Sequence, residues 1–385
     1  MNRSTTQARA GSSHRSRARR RLVCGTSAVI LGGLVLTACS EPTESEAAGE
    51  GEETSVAQEA VTVENCGEDV EFQAPVQKMF VNDSNIISIA VAAGAADNIG
   101  AISRLDDEKL LEAVYGDEIA KLNNVSPEYP SLETVLAQDP DMMFAGYGYG
   151  FSEEKNLTPA KLADRGVATY QLSEACRSGD GSTRGTMDPW DAVETDLRNI
   201  ATIGGDPDQA EDVIDDMTNR REALDSAPQP DVAPTAFLFD SGSETVFTSG
   251  SFGAPQAILE AAGARNATED VEDTWVAVNW EKIASEAPDV FVFVDYPPEK
   301  LEDKMAALRS NPVTRDLPAV KENRFINLPY AMWCSGPLNI DAAEIVRKGL
   351  ESFDLVPASE IEPQLPMDAM DVDGNEWATE GQEAK

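Results

Sequence analysis

One nine-residue pattern occurs twice in the chain, and it constrains the fold more than any other feature. ETVLAQDPD spans 133–141 and EKIASEAPD spans 281–289, an offset of 148 residues. In each copy a glutamate opens a short helical pattern that the proline cannot continue. The aspartate then leads into a continuous apolar run, MMFA at 142–145 and VFVFV at 290–294. Continuous rather than alternating apolar strands suit parallel sheets covered on both faces. A weaker echo pairs AGAADN at 93–98 with AGARN at 262–266. A helix–Pro-Asp–strand junction is common in α/β proteins, but an offset of half the body points to two lobes of similar build.

Further apolar runs at 78–81, 235–239 and 324–328 read as buried strands, with helical patterns between them, for example 341–353. The expected fold class is therefore α/β: two Rossmann-like lobes with parallel sheets, joined by one long α-helix. Asp188 and Pro189 open a first connecting helix, which Gly204 and Gly205 stop. Asp206 and Pro207 open a second that runs to Ser226, about 30 Å of helix.

The ends of the chain read differently. Residues 1–38 carry seven arginines and no acid, followed by an apolar run from Leu22 to Leu36. Fifteen helical residues reach about 22 Å, short of the ~30 Å hydrocarbon core, so a signal segment fits better than a permanent span. The run ends in Leu36-Thr37-Ala38-Cys39. That sequence resembles a bacterial lipobox, with cleavage before Cys39 and lipid on its sulfur. Arg19-Arg20-Arg21 also admits a twin-arginine reading, which its neighbours match poorly. The expected organisation is a signal peptide at 1–38, an acidic disordered tether at 39–60 and an N-terminal lobe at 61–205. The inter-lobe helix at 206–226, a C-terminal lobe at 233–356 and an acidic tail at 357–385 follow.

Composition then removes several functions. The full chain carries 30 basic and 69 acidic residues. Cleavage after Ala38 leaves 23 basic residues, a formal charge of -46. Such a surface disfavours nucleic acid and charge-driven docking to anionic lipid, which leaves the lipid as the only membrane contact. The single histidine, His14, lies in the signal segment. The mature chain therefore has no Ser-His-Asp or Cys-His chemistry and no His-ligated metal or haem.

Several segments together resemble the class III solute-binding proteins of ABC importers, the receptors for ferric siderophores, cobalamin and haem. VENCG at 63–67 with APVQK at 74–78 resembles the N-terminal strand and its entry. The repeated helix–strand junction, VFTSG at 246–250, NPV at 311–313 and VKENRFI at 320–326 complete the match over about 63–352. The resemblance implies partners: a permease dimer with its ATPase, and a small-molecule metal chelate. It implies no cofactor and no enzymatic activity. By position in the repeat, Glu133 and Glu281 correspond to the two glutamates that dock onto permease arginines in that family. Of the three cysteines left beside Cys39, the resemblance favours a Cys66–Cys176 disulfide, with Cys334 free near the cleft.

Ligands of open α/β sheets bind beyond the carboxyl ends of the strands. In the first lobe this nominates Asn82, Ser84 and Asn85 with Asp83, then Arg104, Tyr147 and Tyr149. In the second it nominates Phe247, Trp275, Tyr296, Tyr330 and Trp333. Trp275 sits in a polar stretch and is expected to be accessible. Aromatics at strand exits suit a large, flat, partly apolar ligand. Few cleft arginines argue against a highly anionic chelate, which ranks a neutral or cationic hydroxamate siderophore first, a corrinoid second and haem third. An anchored hydrolase using carboxylates such as Asp83, Asp240, Glu244 and Asp295 is the alternative from another class. A sensory or adhesive lipoprotein that kept the fold is the third. The acidic tail holds Asp371, Asp373, Gly374 and Glu380 at four positions of a calcium-loop pattern, but Ala369 stands at its first ligand position.

Overall fold

The computed structural model describes residues 59–179, 181–296 and 299–380. The expected signal peptide at 1–38, Cys39 and most of the expected tether lie outside them. The chain opens with an antiparallel hairpin, β1 (Glu59–Asn65) and β2 (Glu68–Ala74). The first lobe then builds β3 (Met79–Asn82), β4 (Ile99–Ser103), β5 (Asn124–Ser126), β6 (Met142–Tyr147), β7 (Gly150–Phe151) and β8 (Ala168–Gln171). Its pairings are all parallel, in the order β5-β4-β3-β6-β7, with β8 also on β6.

The second lobe builds β9 (Thr235–Phe239), β10 (Val246–Ser249), β11 (Arg265–Asn266), β12 (Trp275–Val278), β13 (Val290–Asp295) and β14 (Phe325–Pro329). The parallel order is β11-β9-β13-β14, and β10 and β12 form a separate antiparallel ribbon. The chain order reverses at β3/β6 in one lobe and at β9/β13 in the other, so both lobes have a switch point. The fold is the α/β architecture that the alternating pattern implies.

The structure explains why the nine-residue pattern recurs. Leu132 and Trp280 open the two short helices as buried residues, after Ser131 and Asn279, whose side chains cap them. Glu133 and Glu281 are therefore the second helical residue in both lobes. Asp139 and Ala287 turn the chain at φ 50° and 46°, immediately before the prolines. The Asp141 carboxylate accepts the N–H of Lys78 at 3.1 Å, and that of Asp289 accepts the N–H of Thr235 at 2.8 Å. Each aspartate thus pins the start of the neighbouring strand, so the motif registers two strands as well as ending a helix.

Asp206 caps the helix Pro207–Ser226 by accepting from Asp208 and Gln209. Ala210, Ile214, Met217 and Leu224 are buried along it. Arg220 on the same helix pairs with Asp341 at 2.6 Å and Glu344 at 2.7 Å, on the helix Asn339–Ser352 of the second lobe. Cys66 and Cys176 are bonded, and Cys334 is free and buried.

One expectation is corrected. The acidic tail was expected to lie outside the folded body, yet residues 357–380 lie on it. Leu365 and Met370 are buried and Trp377 packs edge-on against Phe353. Its acids from Glu360 to Glu376 face solvent while its few apolar residues are spaced to reach the core, a pattern too sparse to register as an element.

Candidate functional site

The carboxyl ends of the parallel strands face each other across a cleft. Asp83 follows β3 and Arg104 follows β4, and both have positive φ, 84° and 57°. Non-glycine residues in that region at the ends of two neighbouring strands mark stored strain of about 1–3 kcal/mol each, which concentrates at functional sites. Arg104 lies 4.2 Å from the centre of the Tyr129 ring and 5.1 Å from that of Tyr296, one tyrosine from each lobe. It pairs with Asp106 at 2.9 Å and lies 3.8 Å from Asp83. The hydroxyls of Tyr129 and Tyr330 donate to Asp83 at 3.1 and 3.3 Å, again from both lobes. Burial pushes the Asp83 carboxyl up to about 6 against the pull of Arg104. Burial also raises the phenols of Tyr129, Tyr296 and Tyr330.

A cavity of about 470 Å³ opens over this group, lined by Arg104, Asp106, Pro127, Glu128, Tyr129, Lys155 and Tyr296. Its size falls in the range of small-molecule sites. Its two basic and two acidic side chains balance.

Deeper in, the lobes are fastened by main-chain contacts. Glu174 from the first lobe accepts the N–H of Ala254 at 3.0 Å and of Ser335 at 3.3 Å, both in the second. Asn85 donates to the Ser335 carbonyl at 2.8 Å, and Asp107 accepts the Ala331 N–H at 3.1 Å. Burial raises the Glu174 and Asp107 carboxyls, the latter to about 7. Asn85 Oδ1, the Tyr149 hydroxyl and the Ser335 hydroxyl are buried with no partner among the described residues.

The nominated residues divide accordingly. Arg104, Tyr296 and Tyr330 come together at the cleft, with the Tyr296 and Tyr330 rings 5.1 Å apart and tilted at 31°. Tyr147 closes β6. Asn82 and Ser84 are corrected: Asn82 accepts from Ser103 and donates to the Tyr149 carbonyl, and Ser84 accepts the N–H groups of Asp106 and Asp107. Both fasten loops, and neither is exposed. Trp333 is also corrected, at 0% exposure with its indole N–H donated to the Phe293 carbonyl. Trp275, expected to be accessible, is only 6% exposed, because it lies in the ribbon and stacks on Phe247, which covers it at 36% exposure. Sequence reasoning missed Tyr129, Asp107 and Glu174. Tyr129 follows the short β5 and Glu174 the turn Ser173–Ala175 after β8, neither of which a continuous apolar run marks, and Asp107 precedes the helix Glu108–Tyr115, which no apolar stripe announced.

Glu133 and Glu281 are both exposed. The Glu133 carboxyl is held below its usual range by its own N–H and the Ser131 hydroxyl. Among the described residues no helix is long and apolar enough to cross a membrane, and no three metal-ligating side chains converge.

Two doubly wound lobes, a bridging helix and a balanced polar cleft define a bilobal solute-binding protein. The periplasmic binding protein family description matches residues 81–331, and the chain belongs to that family. It is 24% identical to the vitamin B12-binding protein of Pectobacterium atrosepticum over 277 residues, 70% of this chain and 87% of that one. A periplasmic binding protein of Veillonella parvula superposes with a TM-score of 0.65 at 19% identity, covering 76% of this chain and 97% of its own. The Fe3+-hydroxamate transport protein of Saccharomonospora viridis gives 0.63 at 19%, covering 75% and 98%. The family consists of solute-binding transport proteins rather than enzymes, which removes the hydrolase alternative. Its members work outside the cytoplasm with ABC transporters.

Proposed function

We propose that this protein is anchored through Cys39 to the outer face of the cell membrane and delivers an iron–siderophore complex of the hydroxamate type to an ABC permease. The observation that carries this reading is Arg104 held between Tyr129 and Tyr296, under a cavity whose lining charges cancel. A ferric trihydroxamate is neutral or singly positive and presents a ring of oxygens, which suits a fixed guanidinium and two aromatic faces. A polyanionic catecholate has too few cations to meet. Haem needs an ionised tyrosine where histidine is absent, and burial disfavours ionisation of Tyr129, Tyr296 and Tyr330. The unpartnered Asn85, Tyr149 and Ser335 atoms offer hydrogen bonds to a ligand that reaches the base. Glu133 and Glu281, at equivalent exposed positions, are the proposed contacts to basic pockets of the permease.

The test is a fluorescence titration of the mature protein with a ferric trihydroxamate, cyanocobalamin and haemin. Saturable quenching by the trihydroxamate, weakened in Arg104→Ala, is expected. Saturation by cyanocobalamin or haemin alone overturns the ligand assignment.

A further inference from the structure

The segment 357–380 lies beyond the residues matched by the family description, and it touches both lobes. Its outer part is fixed to the second lobe. The Asn375 side chain accepts the N–H of Asn327 at 3.0 Å and donates to the Asn327 carbonyl at 2.7 Å, imitating a strand partner on β14, the sheet edge. Gly374, at φ +88, passes so close to Leu301 that a Cβ would lie 2.3 Å from its Cδ2. Its inner part reaches the first lobe. Met370 is 3% exposed in the turn Met367–Met370, and Asp371 pairs with Lys109 on the first-lobe helix Glu108–Tyr115.

Between these attachments the segment walls the cleft. A cavity of about 340 Å³ is bounded by Asp107 and Leu110 from one lobe, Asp295 and Tyr330 from the other, and Met370 and Val372 from the segment. Tyr330 is the same residue whose hydroxyl meets Asp83 at the centre of the site.

We propose that residues 357–380 form an inter-lobe strap: a tether fixed to the second lobe at Asn375 and clasped to the first at Met370 and Asp371, which must let go before the cleft widens. The inference rests on the cleft being the ligand site, but the strap acts on lobe opening whether or not that ligand is a siderophore. Separating the lobes on this side exposes Met370 and breaks the Asp371–Lys109 ion pair, so the clasp opposes opening and slows ligand exchange.

The test uses the full mature chain with spin labels at Glu154→Cys on the first lobe and Glu302→Cys on the second, both exposed. Without ligand, one narrow inter-lobe distance is expected. Met370→Asp is expected to add a longer, broader population and to speed release of a bound ferric trihydroxamate about tenfold. Asp371→Lys is expected to do the same more weakly, and Lys109→Glu added to it to restore the narrow distance. Far-UV circular dichroism checks that each variant is folded, and Met370→Leu is expected to keep the native distance. Unchanged distances in folded Met370→Asp overturn the strap. Broadened distances with no trihydroxamate binding by the native chain support the strap and overturn the ligand assignment instead.

Discussion

The rim and the base of the cleft use similar side chains in opposite ways. At the rim, Arg104, Tyr129 and Tyr296 partner one another around an open cavity, with the buried Asp83 beneath them. At the base, Glu174, Asn85 and Asp107 partner main-chain groups of the opposite lobe. A side chain that satisfies a buried backbone N–H cannot leave without orphaning it, at about 1–3 kcal/mol per group. A guanidinium stacked between rings can exchange one polar partner for another. The base is therefore a seam and the rim a reading surface, and each prediction below bears on that division.

The largest effect is expected at the base. Glu174→Ala leaves the Ala254 and Ser335 N–H groups unpaired and opens a gap, which should cost about 3 kcal/mol or more in urea unfolding. Glu174→Gln keeps an acceptor oxygen for one of them and should fall between. If both variants unfold with the native midpoint, the seam does not hold the lobes.

At the rim, Arg104→Ala should weaken trihydroxamate binding at least about tenfold while changing stability by roughly 1 kcal/mol or less at pH 5. The stability cost should grow above pH 6, where the buried Asp83 carboxylate loses its counter-charge. Isothermal titration beside thermal melts at the two pH values separates the effects. Full affinity in the variant would move the reading surface away from Arg104.

Asp83 also sets a pH dependence. Burial holds its carboxyl at about 6 when folded, against 3.8 for a solvated aspartate. The folded state therefore holds this proton more tightly, and the associated stability is complete below pH 4 and is lost as pH rises through 6. The slope contributed between those values is at most about 1.4 kcal/mol per pH unit. Burial also raises Asp107 and Asp196, both to about 7, which extends the same trend upward. Melts from pH 4 to 8 should show falling stability, and Asp83→Asn should flatten the lower part of the curve. A native profile in that variant would mean Asp83 is not the titrating group.

What the sequence made legible follows from periodicity. The continuous apolar runs identified β3, β6, β9, β13 and β14, and the Pro-Asp repeat identified equivalent junctions in both lobes. Arg104, Tyr296 and Tyr330 were nominated because each directly follows a parallel strand, and the structure brings them together at the cleft. Trp275 and Trp333 misled because their polar or exit-like neighbours do not report the ribbon and the Phe293 carbonyl that bury them. Glu174 was invisible because its function is to meet two amides about 80 and 160 residues away, and no local pattern encodes that. Met370 and Asn375 were missed because single anchors in an acidic segment lack a period.

The smallest effect on the protein itself is expected at Glu133 and Glu281, far in character from both rim and base. Each is exposed, second in a short helix, and free of any buried partner in the opposite lobe. Glu133→Ala with Glu281→Ala should leave melting within about 0.5 kcal/mol of native and ligand affinity unchanged. The same pair should lose association with the permease in reconstituted vesicles. Charge attraction steers encounter, so the association rate should fall more in low salt than in high salt. If the double variant loads the permease at the native rate, docking relies on other surface acids, and the repeated glutamates serve only the helix starts that their two junctions share.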